Sequence, residues 1–214
     1  MKALRCALIA GMSLLLLGCP SMRPKYLSQP ASVDATGSYT HAASGMVFPD
    51  ALGDFRRTSI SRYDAEGLDV SAGYDLFAPP RVIAATVYVY PAPPLVSIGS
   101  PPEVVATARA NLCQREFESR KQEILQSHPG AKLIEERAVS VVRAGGTHSG
   151  RMAAFEYEDI FAHQRQPVAA RVYLFCYVGG KWVVKYRFSY PKSFDASKDI
   201  EDFMRSLSWT LASS

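Results

Sequence analysis

The run VAARVYLFCYV (168–178), the pair Gly179-Gly180 and the run KWVVKYRFSY (181–190) decide the fold of this chain. β-Branched and aromatic residues dominate both runs, which favours extended strands. Two glycines between such runs indicate a tight hairpin, because the turn requires positive φ at its centre. The sequence therefore predicts an antiparallel hairpin within a β-sheet.

The turn also predicts which residues of the two strands lie opposite each other. Counting back from the glycines gives one face of aromatic and aliphatic pairs and one mixed face. The predicted pairs are Tyr177–Trp182, Phe175–Val184, Tyr173–Tyr186 and Arg171–Phe188 on the apolar face, and Val178–Lys181, Cys176–Val183, Leu174–Lys185 and Val172–Arg187 on the mixed face.

Outside this hairpin, the hydrophobic pattern predicts further strands and two helices. The strands are expected at residues 55–63, 68–74, 81–90, 132–142 and 151–160. The run 81–90 is apolar on both faces, which predicts a central strand. Residues 103–127 and 197–211 have apolar residues at helical spacing. We therefore expect an α+β fold: a single domain over residues 46–214, in which two amphipathic helices cover a largely antiparallel β-sheet.

Short sequence patterns accompany this order of elements. They are Val47-Phe48-Pro49 followed by Leu52-Gly53 and Phe55, then Val70–Tyr74, then Gly180-Lys181-Trp182 and a closing amphipathic helix. Together they resemble the PsbP-like fold family, which includes DcrB-type bacterial envelope lipoproteins. The resemblance covers about residues 46–211. It implies an α/β/α sandwich with an accessory or binding role and no family catalytic residues.

Residues 1–18 have the three parts of a secretory signal: basic Lys2 and Arg5, an apolar run and small Gly18. The end of this segment, LLLLGC (14–19), resembles the bacterial lipobox. That resemblance implies a signal peptide over residues 1–18, cleavage before Cys19 and attachment of lipid, with acyl chains such as palmitate, to the Cys19 sulfur. The alternatives are an ordinary cleaved signal or an N-terminal membrane helix, although a bilayer span needs about 20 apolar residues.

The residues after the cysteine bear on where the protein is held. In Gram-negative lipoproteins an Asp directly after the lipidated cysteine favours the inner membrane, and here that residue is Pro20. The resemblance therefore implies an anchor in the outer membrane of the cell envelope, facing the periplasm. Residues 19–45 contain many small residues and prolines, which predicts a flexible tether. A short strand near Tyr39 is the alternative.

The composition argues against a nucleic-acid partner. The 214 residues include 24 basic and 20 acidic side chains. Loss of Lys2 and Arg5 with the signal leaves 22 basic against 20 acidic residues, since residues 1–18 contain no Asp or Glu. Nucleic-acid-binding domains typically show a much larger basic excess.

The four cysteines divide into two groups. Cys6 lies in the predicted signal and Cys19 is the predicted lipidation site, which leaves Cys113 and Cys176. The oxidising envelope permits a disulfide between these two. The alternative is a pair of buried free thiols, since free cysteine is among the most buried residue types.

The acidic residues Glu156 and Glu158 share one face of a predicted strand, and His163 follows. Carboxylates at alternate strand positions suit a divalent cation or an acid–base pair, but they equally suit a solvated face. The sequence contains no HExxH, GxSxG, CxxC or P-loop motif. We therefore predict no catalytic residue, no metal ligand and no cofactor.

The proline-rich connection after residue 90 contains Leu95, Val96 and Ile98. Apolar residues exposed on such a loop indicate a protein or membrane contact. The alternative is a loop that folds back onto the core.

Two functions follow from these observations. The first is a non-enzymatic accessory or interaction module of the cell envelope, held at the membrane by its lipid and bound to an envelope protein. The second is a small periplasmic ligand-binding protein or hydrolase that uses Glu156, Glu158 and His163.

Overall fold

The protein is built on one large antiparallel β-sheet. The structure, a computed structural model, describes residues 25–96, 98–143 and 146–209. The strands are β1 (Tyr26–Ser32), β2 (Tyr39–Thr40), β3 (Val47–Phe48), β4 (Ala51–Leu52), β5 (Phe55–Asp64), β6 (Val70–Ala78), β7 (Arg81–Pro91), β8 (Lys132–Arg143), β9 (Gly146–Phe161), β10 (Gln164–Val178) and β11 (Trp182–Pro191), and the helices are α1 (Pro102–Ser127) and α2 (Ser197–Ser206).

Two meanders meet in the middle of this nine-stranded sheet. The strand order is β1-β5-β6-β7-β11-β10-β9-β8, with β4 paired to β5. Helix α1 connects the central strand β7 to the edge strand β8, and the chain then returns strand by strand to β11. The prediction that 81–90 is a central strand is confirmed, because β7 pairs with both β6 and β11.

The predicted hairpin register holds along the strands and changes beside the turn. Arg171 lies opposite Phe188 and Phe175 opposite Val184, as the sequence predicts. Val178, however, pairs with Trp182 rather than Lys181, so the predicted Tyr177–Trp182 pair is wrong. A β-bulge with Tyr177 at φ 56° inserts one extra residue here, and a bulge shifts the pairing of every residue between it and the turn.

Each face of the sheet has its own buried cluster. On one face, Tyr186, Phe188 and Tyr74 pack against Phe203 of α2, and Tyr186 also packs against Trp209. On the other face, side chains of β9 and β10 pack beneath α1, which contributes few buried apolar residues: Phe117 and Ile124. The two faces are therefore covered to different extents.

The expectation of a sheet covered by two amphipathic helices in an α/β/α sandwich is wrong. The protein is mostly β-sheet, and its helices are too small for the sheet: α2 has 10 residues and β9 has 16. At about 1.5 Å per helical residue and about 3.3 Å per strand residue, α2 is less than a third as long as β9. The N-terminal half of α1 also extends away from the sheet, leaving Val104 53% exposed and Ala106 and Ala110 exposed.

The tether prediction also fails over the described part of residues 19–45. Strand β1 pairs with β5, and β2 pairs with β3. His41 is fully buried, with its ring nitrogens bonded to Ser44 Oγ and to the Gly67 carbonyl at 2.7 and 2.8 Å. The segment lacks a hydrophobic period because β1 is an exposed edge strand. The predicted signal over residues 1–18 and the predicted lipidation site Cys19 lie outside the described residues.

Candidate functional site

The incomplete helical cover leaves a cleft on one face of the sheet. Helix α1 lies over β9 and β10, and on the same face Ser71 of β6 and Tyr88 of β7 lie beside the helix rather than beneath it. The resulting cleft has a volume of about 490 Å³. This lies within the range of about 300–1,000 Å³ that is usual for small-molecule sites.

Tyrosines form the walls of the cleft. Tyr63 and Tyr88 have ring centroids 6.1 Å apart, and the Tyr63 hydroxyl lies 3.1 Å from Ser71 Oγ. The Tyr90 hydroxyl donates to Glu116 Oε1 at 2.7 Å, and Tyr26 of β1 completes the lining. Burial raises the pKa of Tyr88 to about 12. The Tyr88 hydroxyl is therefore protonated at neutral pH and available as a hydrogen-bond donor.

Lys185 lies at the base of this cleft. Strand β11 places it opposite Tyr88, and its Nζ lies 3.7 Å from the centroid of the Tyr88 ring. The residue is only 6% exposed. Within the described part of the chain, no carboxylate oxygen lies within 4.0 Å of Nζ. Burial lowers the pKa of Lys185 to about 8, so the cleft contains a desolvated amine that is protonated at neutral pH and lacks a salt bridge.

The acidic residues that α1 contributes to the cleft are already paired. Arg120 Nε lies 3.1 Å from Glu116 Oε1, and Arg120 Nη1 lies 3.0 Å from Glu123 Oε2. This group of three therefore satisfies much of its own charge. Because two carboxylates share one guanidinium, the group retains one net negative charge.

Asp69, in the connection between β5 and β6, is different. The structure gives its carboxylate no salt bridge with any described residue, although it lines the same cleft. Burial, followed by repulsion from Asp64, raises the pKa of Asp69 to about 6. Asp69 and Lys185 are thus two charges of opposite sign in one cleft that form no salt bridge with the described residues, although the Lys185 ammonium lies against the Tyr88 ring.

The acidic site expected around β9 does not form. Glu156 Oε2 accepts a hydrogen bond from Lys192 Nζ at 2.6 Å, while Glu158 is exposed. His163 lies in the β9–β10 turn at φ 65°, also exposed. These three residues are not among those that line the cleft. Among the described residues there is no group of three or more His, Cys, Asp or Glu side chains placed to hold a metal ion.

The apolar loop adjoins the cleft. Residues 91–94 line the cleft, and the loop then turns outward. Leu95 is half-buried, but Val96 and Ile98 are 84% and 94% exposed. The loop therefore does not cap the core through Val96 and Ile98, and these two side chains are available for contact.

The two cysteines of the domain form a disulfide. Cys113 on α1 and Cys176 on β10 have Cα atoms 5.8 Å apart and joined sulfurs. The bond fastens the middle of α1 to the sheet beside the buried Phe117. It thereby helps to hold the helical wall of the cleft in place.

Sequence reasoning did not identify the cleft. The sequence predicts for Lys185 only a position opposite Leu174 on the mixed face of the hairpin. The sequence feature that could have indicated the site is the position of this lysine, which interrupts the apolar run WVVKY (182–186) of a strand expected to be buried. A lysine is rarely buried without a partner, so such a position indicates a functional role.

Comparison with protein-family models finds no match to this chain, and comparison with curated proteins finds none either. Neither α1 nor α2 combines the length and the apolar character that crossing a bilayer would require.

Proposed function

We propose that this chain is a non-enzymatic lipoprotein module of the bacterial cell envelope that binds a small ligand in the tyrosine-walled cleft. The observation that carries the proposal is Lys185, whose ammonium group faces the cleft at 6% exposure without a salt bridge from the described residues. Keeping such a charge buried costs stability. A ligand that supplies the missing counter-charge offsets that cost.

The groups in the cleft suit binding better than catalysis. Arg120 occupies both Glu116 and Glu123, so neither is free to act as a general base. Burial raises the pKa of Tyr88 and of Tyr90 and keeps both hydroxyls protonated, and a protonated phenol donates hydrogen bonds but is a weak nucleophile. Apolar walls with a few convergent polar groups are typical of ligand sites.

The anchor is part of the same proposal. The segment LLLLGC (14–19), preceded by basic residues and an apolar run, supports lipidation at Cys19. Pro20 after the cysteine supports the outer membrane over the inner one, with the domain facing the periplasm. The nearly balanced charge of the mature chain supports a role without nucleic acid.

The cleft is tested by asking what it carries when the protein is purified. Full-length chain is purified from envelopes in detergent and denatured, and the released small molecules are identified by mass spectrometry. A matched variant, Ala92→Trp, places a large ring at a residue that lines the cleft. We expect a compound that accompanies the wild type and is missing from the variant.

The same preparation can also reject the proposal. If the wild type carries nothing and no compound of an envelope extract raises its melting temperature, the cleft is not a ligand site. Ala92→Trp must retain the melting temperature of the unliganded wild type to within a few degrees for the comparison to count.

A second candidate function rests on the exposed loop. Val96 and Ile98 present apolar surface next to the cleft, which suits contact with an envelope protein. A photo-crosslinking residue at position 96 or 98 should capture the same single protein. The control is position 160, because Ile160 is also exposed and apolar, at 69%, but lies on β9. Equal capture at all three positions would reject the loop as a specific surface.

A further inference from the structure

Lys185 and Asp69 are oppositely charged and close enough to influence each other, yet they do not pair. Each lowers the electrostatic cost of the other's charge, as the direction of the effect on each pKa shows. Lys185 Nζ nevertheless lies more than 4.0 Å from the Asp69 carboxylate oxygens, so the two residues do not form a salt bridge. Both are partly or largely removed from water, and both line the same cleft.

Their surroundings do not supply the missing partners. Of the charged groups on α1, Glu123 has the largest charge effect on the Lys185 pKa, but it forms no salt bridge with Lys185 and, like Glu116, pairs with Arg120. On β11, the neighbouring Arg187 donates to His128 Nε2 at 2.8 Å and shares the charge of Lys185, so it cannot serve as its counter-ion. Within the described residues, Lys185 and Asp69 are the two charged groups of the lining that form no salt bridge, and the lining as a whole contains three acidic and two basic side chains.

We infer that the ligand carries both an ammonium group and a carboxylate, with the carboxylate bound by Lys185 and the ammonium bound by Asp69. This inference rests on the proposed function. A ligand with a single charge would leave either Lys185 or Asp69 desolvated and unpaired, at a cost. Amino acids and the free ends of short peptides are the common molecules that present both groups.

The tyrosine walls indicate the rest of the ligand. The ring of Tyr63 offers flat apolar surface beside the two charges, whereas Lys185 Nζ occupies one face of the Tyr88 ring. Aromatic groups pack on such surfaces in offset or edge-to-face geometry. We therefore expect an amino acid with a large apolar side chain, or a dipeptide containing one, within the volume of about 490 Å³.

The two charges coexist over a limited range of pH. The pKa of Asp69 is about 6 and that of Lys185 about 8, set by burial and by the nearby Asp64, Glu123, Arg120 and Arg187. Below pH 6 Asp69 is protonated, and above pH 8 Lys185 is neutral. Affinity should therefore be greatest near pH 7 and fall on both sides.

The test uses calorimetry on the full-length chain with L-phenylalanine and the dipeptide alanyl-phenylalanine as probes. Each is compared with its C-terminal amide, which lacks the carboxylate, and with its N-acetyl derivative, which lacks the ammonium group. We expect at least one unmodified probe to bind at pH 7. Its amide and its acetyl form should each bind at least about tenfold more weakly than the unmodified probe, because each loses a hydrogen bond to a charged group.

Two variants assign the charges to their residues. Lys185→Met should weaken binding of the unmodified probe and remove the difference between acid and amide. Asp69→Asn should weaken it likewise and remove the difference between free and acetylated amine. Lys181→Met and Asp75→Asn are matched controls, because both residues are exposed and neither lines the cleft. The controls should bind as the wild type does.

Three results would overturn the inference. They are equal binding of the amide or acetyl forms, unchanged binding by Lys185→Met and Asp69→Asn, and unchanged binding by Ala92→Trp. If neither probe binds but purified protein carries a compound that Ala92→Trp excludes, the cleft binds another class of ligand; the inference then fails while the proposed function stands. Thermal melts of each variant show that loss of binding is not loss of folding.

Discussion

Lys185 lowers the stability of the protein that contains it. Its pKa of about 8, against the ordinary 10.5, means that the folded chain binds this proton less tightly than the unfolded chain does. The buried charge of Lys185 therefore lowers the free energy of unfolding at pH 7, and this cost disappears as the pH rises from about 8 to 10.5. A shift of this size corresponds to at most about 3 kcal/mol.

Replacing Lys185 by methionine should therefore stabilise the protein at pH 7. Methionine keeps a long apolar stem and removes the charge, so we expect the free energy of unfolding in urea to rise by up to about 3 kcal/mol. The difference in the free energy of unfolding between Lys185→Met and the wild type should be smaller at pH 9.5, because Lys185 is then largely neutral in the folded wild type. Lys181→Met should change stability by less than about 0.5 kcal/mol. A loss of stability in Lys185→Met would show that the amine has a partner.

Tyr186 carries a buried hydrogen bond that is separate from the cleft. Trp209 Nε1 donates to the Tyr186 hydroxyl at 2.6 Å, and both residues are at most 5% exposed. Tyr186→Phe should lower the free energy of unfolding by about 1–3 kcal/mol, because it leaves a buried N–H without an acceptor. Urea unfolding followed by tryptophan fluorescence measures this, with Tyr39→Phe, at a half-buried position, as the comparison. No change in Tyr186→Phe would contradict the assignment.

At the scale of elements, β9 approaches β10 closely at Gly150. A Cβ at this position would lie 2.5 Å from the Leu174 carbonyl oxygen and 2.5 Å from Phe175 Cδ1. Gly150→Ala should therefore cost about 1–3 kcal/mol, as overpacking does elsewhere. Ser149→Ala, at the exposed neighbouring position, should change stability little. Thermal melts of the two variants decide the matter, and equal melting temperatures would show that the strands can separate here without cost.

The disulfide fastens α1 to the sheet. Cys113 and Cys176 are 63 residues apart, and a loop of that length corresponds to about 4 kcal/mol of chain entropy, which strain can reduce. The double variant Cys113→Ser, Cys176→Ser should unfold at lower urea concentration. Protein purified without reductant and then denatured should show no titratable thiol from these two residues. Two such thiols would rule out the bond.

The elements themselves show what the sequence could and could not predict. The register of Arg171–Phe175 followed from alternation and the Gly179-Gly180 turn. The bulge at Tyr177 did not, because it moves one residue without breaking the apolar pattern. Strand β1 was missed for a related reason: an exposed edge strand needs no hydrophobic period and is held by its hydrogen bonds to β5.

At the scale of the whole molecule, the cleft exists because the sheet is larger than its helical cover. Apolar periodicity indicated two helices, but periodicity does not give the width of the sheet or the place where each helix lies on it. Glu156, Glu158 and His163 lie outside the cleft: Glu156 pairs with Lys192, and Glu158 and His163 are exposed. Lys185, Asp69 and the tyrosines come from distant parts of the chain, and only the fold brings them together.

Lys185 is a desolvated amine that we propose binds the carboxylate of a ligand. Its titration tests this most directly: lysine labelled with ¹³C at Cε is incorporated into the full chain, and the Lys185 signal is assigned by its loss in Lys185→Met. We expect a pKa of about 8 for Lys185 without ligand and a higher pKa when the carboxylate probe is bound. A pKa near the ordinary value of about 10.4 in the free protein would show that the amine is not desolvated.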